Sequence, residues 1–236
     1  MTLSQDAAKR VFDVAVSATA LVLISPLLAL IAIAIRLDSR GRVMFRQERL
    51  GRFRLPFTLL KFRTMIENAP DYRNADGSSF NAPNDARVTR LGNFLRRTSL
   101  DELPQLCNVL FGEMSLVGPR PDQMDQAQFY SGEEWRRTLV KPGITGLAQV
   151  SGRNSISWAE RKQMDIEYVS RQSLLLDLKI LWRTIPYVIG SRDVFIRQHE
   201  RAGRKTALTE TGSRKTALME TAGRMPALPA FPEEGV

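Results

Sequence analysis

The sequence predicts an α+β, mostly helical protein attached to a membrane. Three features carry that expectation. An uncharged apolar run extends from Val14 to Ile35, short β-branched and aromatic stretches lie between Val43 and Phe62, and helical hydrophobic spacing dominates the chain after them. With 236 residues and 43% hydrophobic content, the chain can bury one sizeable core. A net charge of +9 implies acidic partners, whether nucleic acid, anionic headgroups or phosphorylated metabolites.

The apolar run, "VAVSATALVLISPLLALIAIAI", is long enough for a membrane helix. It is too long for a secretory signal, and no small-residue cleavage site follows it. Ser25 and Pro26 stand near its middle, where proline removes a backbone donor and forces a bend. Each arm of 10 to 12 residues would be about 15–18 Å long, roughly half of a hydrocarbon core. A helix-break-helix that enters and returns fits this length, and a kinked spanning helix fits the hydropathy equally well. Lys9 and Arg10 before the run, and Arg36, Arg40, Arg42 and Arg46 after it, put positive charge on both flanks, as both ends in the cytoplasm require. Ser25 is placed to satisfy a carbonyl that the break frees. A Ser4→Cys variant is expected to react with an impermeant maleimide from the cytoplasmic side only; labelling from outside excludes the re-entrant form.

Val43 to Arg46 and Phe57 to Phe62 read as two strands of a small β-hairpin. Residues 69–85, "APDYRNADGSSFNAPND", have loop composition. Helices are expected at about Leu91 to Arg97, Leu100 to Leu110 and Asp122 to Phe129. "VKPGITGLAQVSGRN" reads as a loop, because it holds one Pro and three Gly. Two further helices cover "SWAERKQMDIEYVSRQ" and "LLLDLKILWRTIPYVIG". The second mixes Leu174, Leu175, Leu178, Leu181, Trp182 and Ile185 with Lys179 and Arg183, which suits an interfacial amphipathic helix or a core helix with a charged outer face. Beyond Arg201, "RKTALTETGS", "RKTALMETAG" and "RMPALPAFPE" repeat with a period of ten and cannot build a core. The expected organisation is a membrane segment over 1–36, a cytoplasmic domain over 37–200 and a disordered tail over 201–236.

A single histidine, His199, and a single cysteine, Cys107, argue against histidine-activated nucleophiles and His/Cys zinc sites. If the protein is an enzyme, its chemistry must run on carboxylates, arginines and lysines, with or without an oxygen-liganded metal. Basic clusters "FRQERLGR", "KFRTM", "RVTRLGNFLRRTS" and "GPRP" accompany an acid pair, Asp101 and Glu102, in "SLDELPQL". Ser99 and Glu102 have the spacing of a capping box, and a carboxylate beside phosphate-binding arginines is the compatible second reading. Capping and the helix dipole would leave Asp101 ionised and accessible. Pro119 and Pro121 fix the backbone on either side of Arg120 and present its guanidinium with little entropy to lose. The basic clusters lack interleaved exposed aromatics, so no nucleic acid partner is expected.

"KRVFDVAVSATALVLISP", "FRQERLG", "FTLLKFRTM", "RVTRLGNFLRRTSLDELPQLCNVLFGEMSLVGPRP", "KPGITGLAQVSGR" and "DIEYV" together resemble the bacterial sugar transferase family, the polyprenyl-phosphate hexose-1-phosphate transferases, in their small catalytic-core form. The resemblance runs from about Lys9 to about Val188. Arg42 stands where proline is common in the family, and the tail has no family counterpart. The resemblance implies a monotopic protein, re-entrant at Ser25 and Pro26, with its active site at the cytoplasmic face of the cytoplasmic membrane. It implies Asp101 as nucleophile and Mg2+ ligand, with Glu102 tuning it, holding Mg2+ or handling protons. It places Lys61 and Arg63 in a basic wall, Arg96 near the transferring phosphates, and Pro119, Arg120 and Pro121 near uridine and diphosphate. The implied partners are a UDP-sugar, polyprenyl phosphate and membrane lipids, in the first step of exopolysaccharide, O-antigen or glycoconjugate assembly; no motif sets the oligomeric state. The rival class is a non-catalytic, basic, membrane-anchored scaffold.

Overall fold

The computed structural model describes residues 3–72, 74, 78, 80, 85–152 and 156–189. The repetitive tail over 201–236 and His199 lie outside the described residues, as do parts of the loop over 69–85.

Helix α1, Leu3–Asp38, runs for 36 residues and continues through Pro26. Pro26 has no N–H to offer the carbonyl of Val22 four residues back, and the Ser25 hydroxyl donates to that carbonyl instead at 2.8 Å. One face of α1 lies on the folded unit over most of its length. Phe12, Ala20, Leu21 and Ile24 pack against a core containing Leu106, Val109, Met114, Leu116, Tyr168 and Ile180. Further along, Ile31 and Ile35 join Phe62 and Leu95 in a second core. The opposite face exposes Val11, Val22, Leu23, Leu30, Ile33 and Leu37.

Strands β1, Met44–Leu50, and β2, Pro56–Phe62, form the expected hairpin, with Met44 opposite Phe62 and Leu50 opposite Pro56. Strand β1 extends beyond Arg46 because "QERL" makes full ladder pairs despite its polar composition. Helix α2, Arg90–Thr98, ends on Ser99 in a left-handed conformation (φ 58°). The single helix expected over Leu100 to Leu110 is two pieces: a 3-10 turn, Leu100–Glu102, and helix α3, Gln105–Phe111. Pro104 has no N–H to carry helical bonding across the join.

The segment expected as a loop, "VKPGITGLAQVSGRN", contains a strand and a helix. Strand β3, Ser115–Val117, pairs in parallel with β4, Gly143–Thr145, and α4, Leu147–Ser151, follows. A side chain at Gly143 would overlap the backbone of Gly118, so two glycines allow the strand ends to meet. The helix expected over Asp122 to Phe129 is a 3-10 segment, Met124–Phe129, and a second one, Glu133–Leu139, was not expected. Helix α5, Trp158–Arg171, begins with a capping box between Ser157 and Glu160. Helix α6, Leu174–Ile189, buries Asp177 and Ile180 but exposes Leu175, Leu178, Trp182 and Ile185.

Candidate active site

The site begins with two contacts that bring distant segments together. A Cβ at Gly92 would overlap the carbonyl of Thr64, so only glycine lets α2 lie against the chain leaving β2. Thr89 N donates to that carbonyl at 3.0 Å, and the Thr89 hydroxyl caps α2 by accepting from Gly92 N at 2.9 Å. Arg96, in the last turn of α2, is thereby placed with Nε donating to the Thr64 hydroxyl at 2.9 Å. On the other side, buried Asn108 of α3 reads the edge of β2. It donates to Thr58 O at 2.8 Å and accepts from Leu60 N at 3.0 Å.

These contacts set Lys61 of β2 opposite the Leu100–Glu102 turn. Lys61 Nζ donates to Glu102 at 3.2 Å, and the Arg120 guanidinium donates to the same carboxylate at 2.7 Å. The expected capping box is therefore absent. Ser99 is the left-handed C-cap of α2 and makes no side-chain cap bond, while Glu102 turns to the two cations. Burial works against the charge of Glu102, yet Arg120 and Lys61 outweigh it and hold the carboxyl well below the usual range.

Asp101 is 7% exposed, and burial pushes its carboxyl up to about 6. Lys61 pulls it down, Glu102 pushes it up, and Arg96 and Arg120 pull it down. Desolvation thus outweighs the stabilisation expected from a helix start. Among the described residues its carboxylate has no hydrogen-bond partner, although three cations act on it.

The Arg120 backbone is fixed by donors on all sides. Pro119 O accepts from Gly143 N at 2.9 Å, Arg120 O from Arg137 at 2.7 Å, and Pro121 O from Arg49 at 3.3 Å. Arg63, expected in the same basic wall, is not brought to the acid pair. Its guanidinium donates to the carbonyls of Arg42 at 2.5 Å, Ser39 at 2.9 Å and Met65 at 3.4 Å, and so ties the α1–β1 connection to the end of β2. Strand β2 ends at Phe62, and the alternation that aims Lys61 at Glu102 ends with it.

Residues 4–191 match the profile of the family described as bacterial sugar transferase. This chain belongs to the bacterial sugar transferase family. An uncharacterized sugar transferase, EpsL, of Bacillus subtilis is 42% identical over 87% of this chain and 98% of its own length. A UDP-glucose:undecaprenyl-phosphate glucose-1-phosphate transferase of Caulobacter vibrioides is 44% identical over 80% of this chain and 73% of its own length. A protein of that same name in Klebsiella pneumoniae is 44% identical over 75% of this chain but 39% of its own length. The activity class is that of a phosphoglycosyl transferase.

In this sugar transferase, the residues that the linear sequence did not reveal lie behind Arg120. Arg137 is buried between Asp122 and Asp165, and it also donates to the Tyr130 hydroxyl. Trp158 Nε1 donates to Asp122 at 3.0 Å. Spacings of 15 and 28 residues between Arg137 and its two carboxylates carry no sequence signal. Asn108 was missed for the same reason. Cys107 is half-buried, and burial pushes its thiol up, which disfavours the thiolate.

Proposed function

We propose that this protein transfers hexose-1-phosphate from a UDP-sugar to polyprenyl phosphate through a covalent intermediate on Asp101. The observation that carries this reading is the Asp101 carboxylate itself, buried without a hydrogen bond under the influence of Lys61, Arg96 and Arg120. An acceptor with no donor to give up can attack phosphorus, and preorganised cations offset the charge of the diphosphate it approaches. Asp101 bonds to the sugar-linked phosphorus as the bridging P–O bond breaks, and UMP leaves with the electron pair. A phosphate oxygen of polyprenyl phosphate then attacks the same phosphorus, the carboxylate–phosphorus bond breaks, and Asp101 is regenerated. The product is polyprenyl-diphosphate-sugar, the starting point of exopolysaccharide, O-antigen or glycoconjugate assembly. The names of the Caulobacter and Klebsiella relatives support this chemistry.

Among the described residues, no group of three or more His, Cys, Asp or Glu side chains could hold a metal. Two adjacent carboxylates nevertheless suit Mg2+, which takes one or two protein oxygens and completes its shell with water and substrate phosphate. Asp101, which has no hydrogen-bond partner among the described residues, would hold it, and its contribution would be charge neutralisation on the diphosphate. Glu102 is held by two cations, so its part is to fix Lys61 and Arg120 rather than to carry protons.

The topology belongs to the same proposal. Near the start of α1, Lys9 pairs with Asp177 at 2.5 Å and Arg10 donates to Val109 O at 2.5 Å; near its end, Ile35 is buried with Phe62 and Leu95. Both ends resting on one folded unit support a monotopic α1; the re-entrant path and an active site at the cytoplasmic face belong to the same reading, although α1 continues as one helix through Pro26. A panel of UDP-sugars, with membranes containing the protein, polyprenyl phosphate and Mg2+, is expected to release UMP with at least one sugar. Release of UDP instead would mean direct sugar transfer and would reject the reading.

A further inference from the structure

A basic and apolar patch stands apart from the acid pair, at the C-terminal end of α3. Arg10 donates to Val109 O and to Leu110 O at 2.8 Å, capping the last carbonyls of that helix. The Arg10 guanidinium and the Lys141 ammonium both come within 4 Å of where a Gly112 Cβ would stand. Arg52, at the tip of the β1–β2 hairpin, donates to Leu139 O at 3.1 Å. Burial lowers the Lys141 pKa, and Arg10, Arg52 and Lys9 lower it further, while the Asp13 carboxylate opposes them. Among the described residues, none of the three makes an ion pair.

Large apolar side chains surround these cations. Phe111 is 73% exposed, Val11 69%, Leu55 66% and Phe53 49%. The Arg52 guanidinium sits 4.6 Å from the Phe53 ring centroid. Phe53 and Arg54 both adopt left-handed backbone conformations, φ 56° and 66°, which residues other than glycine rarely take. The hairpin therefore holds a strained tip that presents an aromatic ring to solvent. Val11, next to Arg10 in the chain, is also one of the exposed apolar residues of α1.

We propose that Arg10, Arg52 and Lys141, with Phe53, Leu55 and Phe111, form a second membrane contact that binds anionic phospholipid headgroups. Three crowded cations with no ion pair among the described residues, only one of them under the influence of a carboxylate, call for phosphate, and exposed aromatic and leucine side chains beside them call for the acyl boundary. This surface rests on α1 being the membrane segment, but not on the identity of the transferred sugar. Its role is to fix the tilt of the domain, with the hairpin tip as a point of support apart from α1.

The test uses the full chain in nonionic detergent, carrying Cys107→Ser and a dye on Phe53→Cys, titrated with dioctanoyl-phosphatidylglycerol or dioctanoyl-phosphatidylcholine. A second label on Leu55→Cys serves if the first perturbs the tip. At about fivefold per cation, the glycerol lipid is expected to bind roughly 100-fold more tightly, and Arg52→Gln/Lys141→Gln to cut that preference to about fivefold. The double variant should keep wild-type UMP release in detergent, since neither residue touches the acid pair. Equal binding of the two lipids, or an unchanged preference in the double variant, overturns the proposal. So does displacement of the glycerol lipid by equimolar short-chain polyprenyl phosphate, which would make the patch an acceptor site. The titration reads out even if no UDP-sugar releases UMP, so its failure and that of the proposed reaction are separable.

Discussion

Asp101→Asn is expected to lower UMP release by roughly 10^3-fold or more while making the protein more stable at pH 8. The two effects have one cause. An amide keeps the shape of the side chain but cannot form the acyl phosphate, so the covalent route closes. The carboxylate it replaces has a pKa pushed up to about 6, so the folded protein holds the charged form less well than water does. Removing that charge should raise stability at pH 8 by roughly 1–3 kcal/mol, and no hydrogen bond is lost with it. Loss of activity with a gain in melting temperature is the signature of a strained reactive group, and a purely structural aspartate would lose both. Glu102→Gln offers the contrast: it weakens the pairs with Lys61 and Arg120 and should lower stability and turnover together. Near-normal turnover by the Asp101→Asn protein in a single-turnover UMP assay would remove the nucleophile assignment.

Much of this site was legible because its signals are local. Two adjacent acids, proline on either side of Arg120 and a helical run bearing Arg96 can be read from neighbours in the chain. The hairpin was legible too, since Phe57 to Phe62 alternates as a half-buried strand. What stayed hidden depends on contacts over long separations. The β3–β4 pair is three residues on each side, and it exists because Gly118 and Gly143 let two backbones approach. No period can show in so short a strand, and the glycines that permit it read as loop. The capping box failed for a related reason. Ser99 and Glu102 have the right spacing, but Lys61 and Arg120 offer Glu102 a full charge where Ser99 offers a backbone N–H, and ion pairing in a buried setting prevails. Arg63 shows the opposite error: its place in "KFRTM" suggested a ligand-binding cation, whereas strand termination at Phe62 turned it to backbone carbonyls.

The largest expected loss of stability comes from Arg137→Met. Arg137 is the shared cation of Asp122 and Asp165, and the estimated cost of stripping one partner from a buried ion network is about 3–5 kcal/mol. Its loss also frees the Arg120 carbonyl, so turnover should fall even though Arg137 touches no reacting atom. The deficit should depend on pH. Burial raises the Asp165 carboxyl to about 6, with Arg137 opposing and Asp122 adding to the shift. A carboxyl raised above its ordinary 3.8 contributes stability fully below that value and loses it as pH rises through 6. Without Arg137 the opposing pull disappears, and protonation of Asp165 becomes favourable at still higher pH. Thermal denaturation in detergent should therefore show a gap between variant and wild type that is widest at pH 8 and narrower at pH 5.5. Adding Asp165→Asn to Arg137→Met should recover part of the stability at pH 8, because it removes one of the two stranded charges. The same gap at both pH values, or a gap below about 1 kcal/mol, would show that the cluster behind Arg120 is held by packing of Tyr130 and Trp158 rather than by charge.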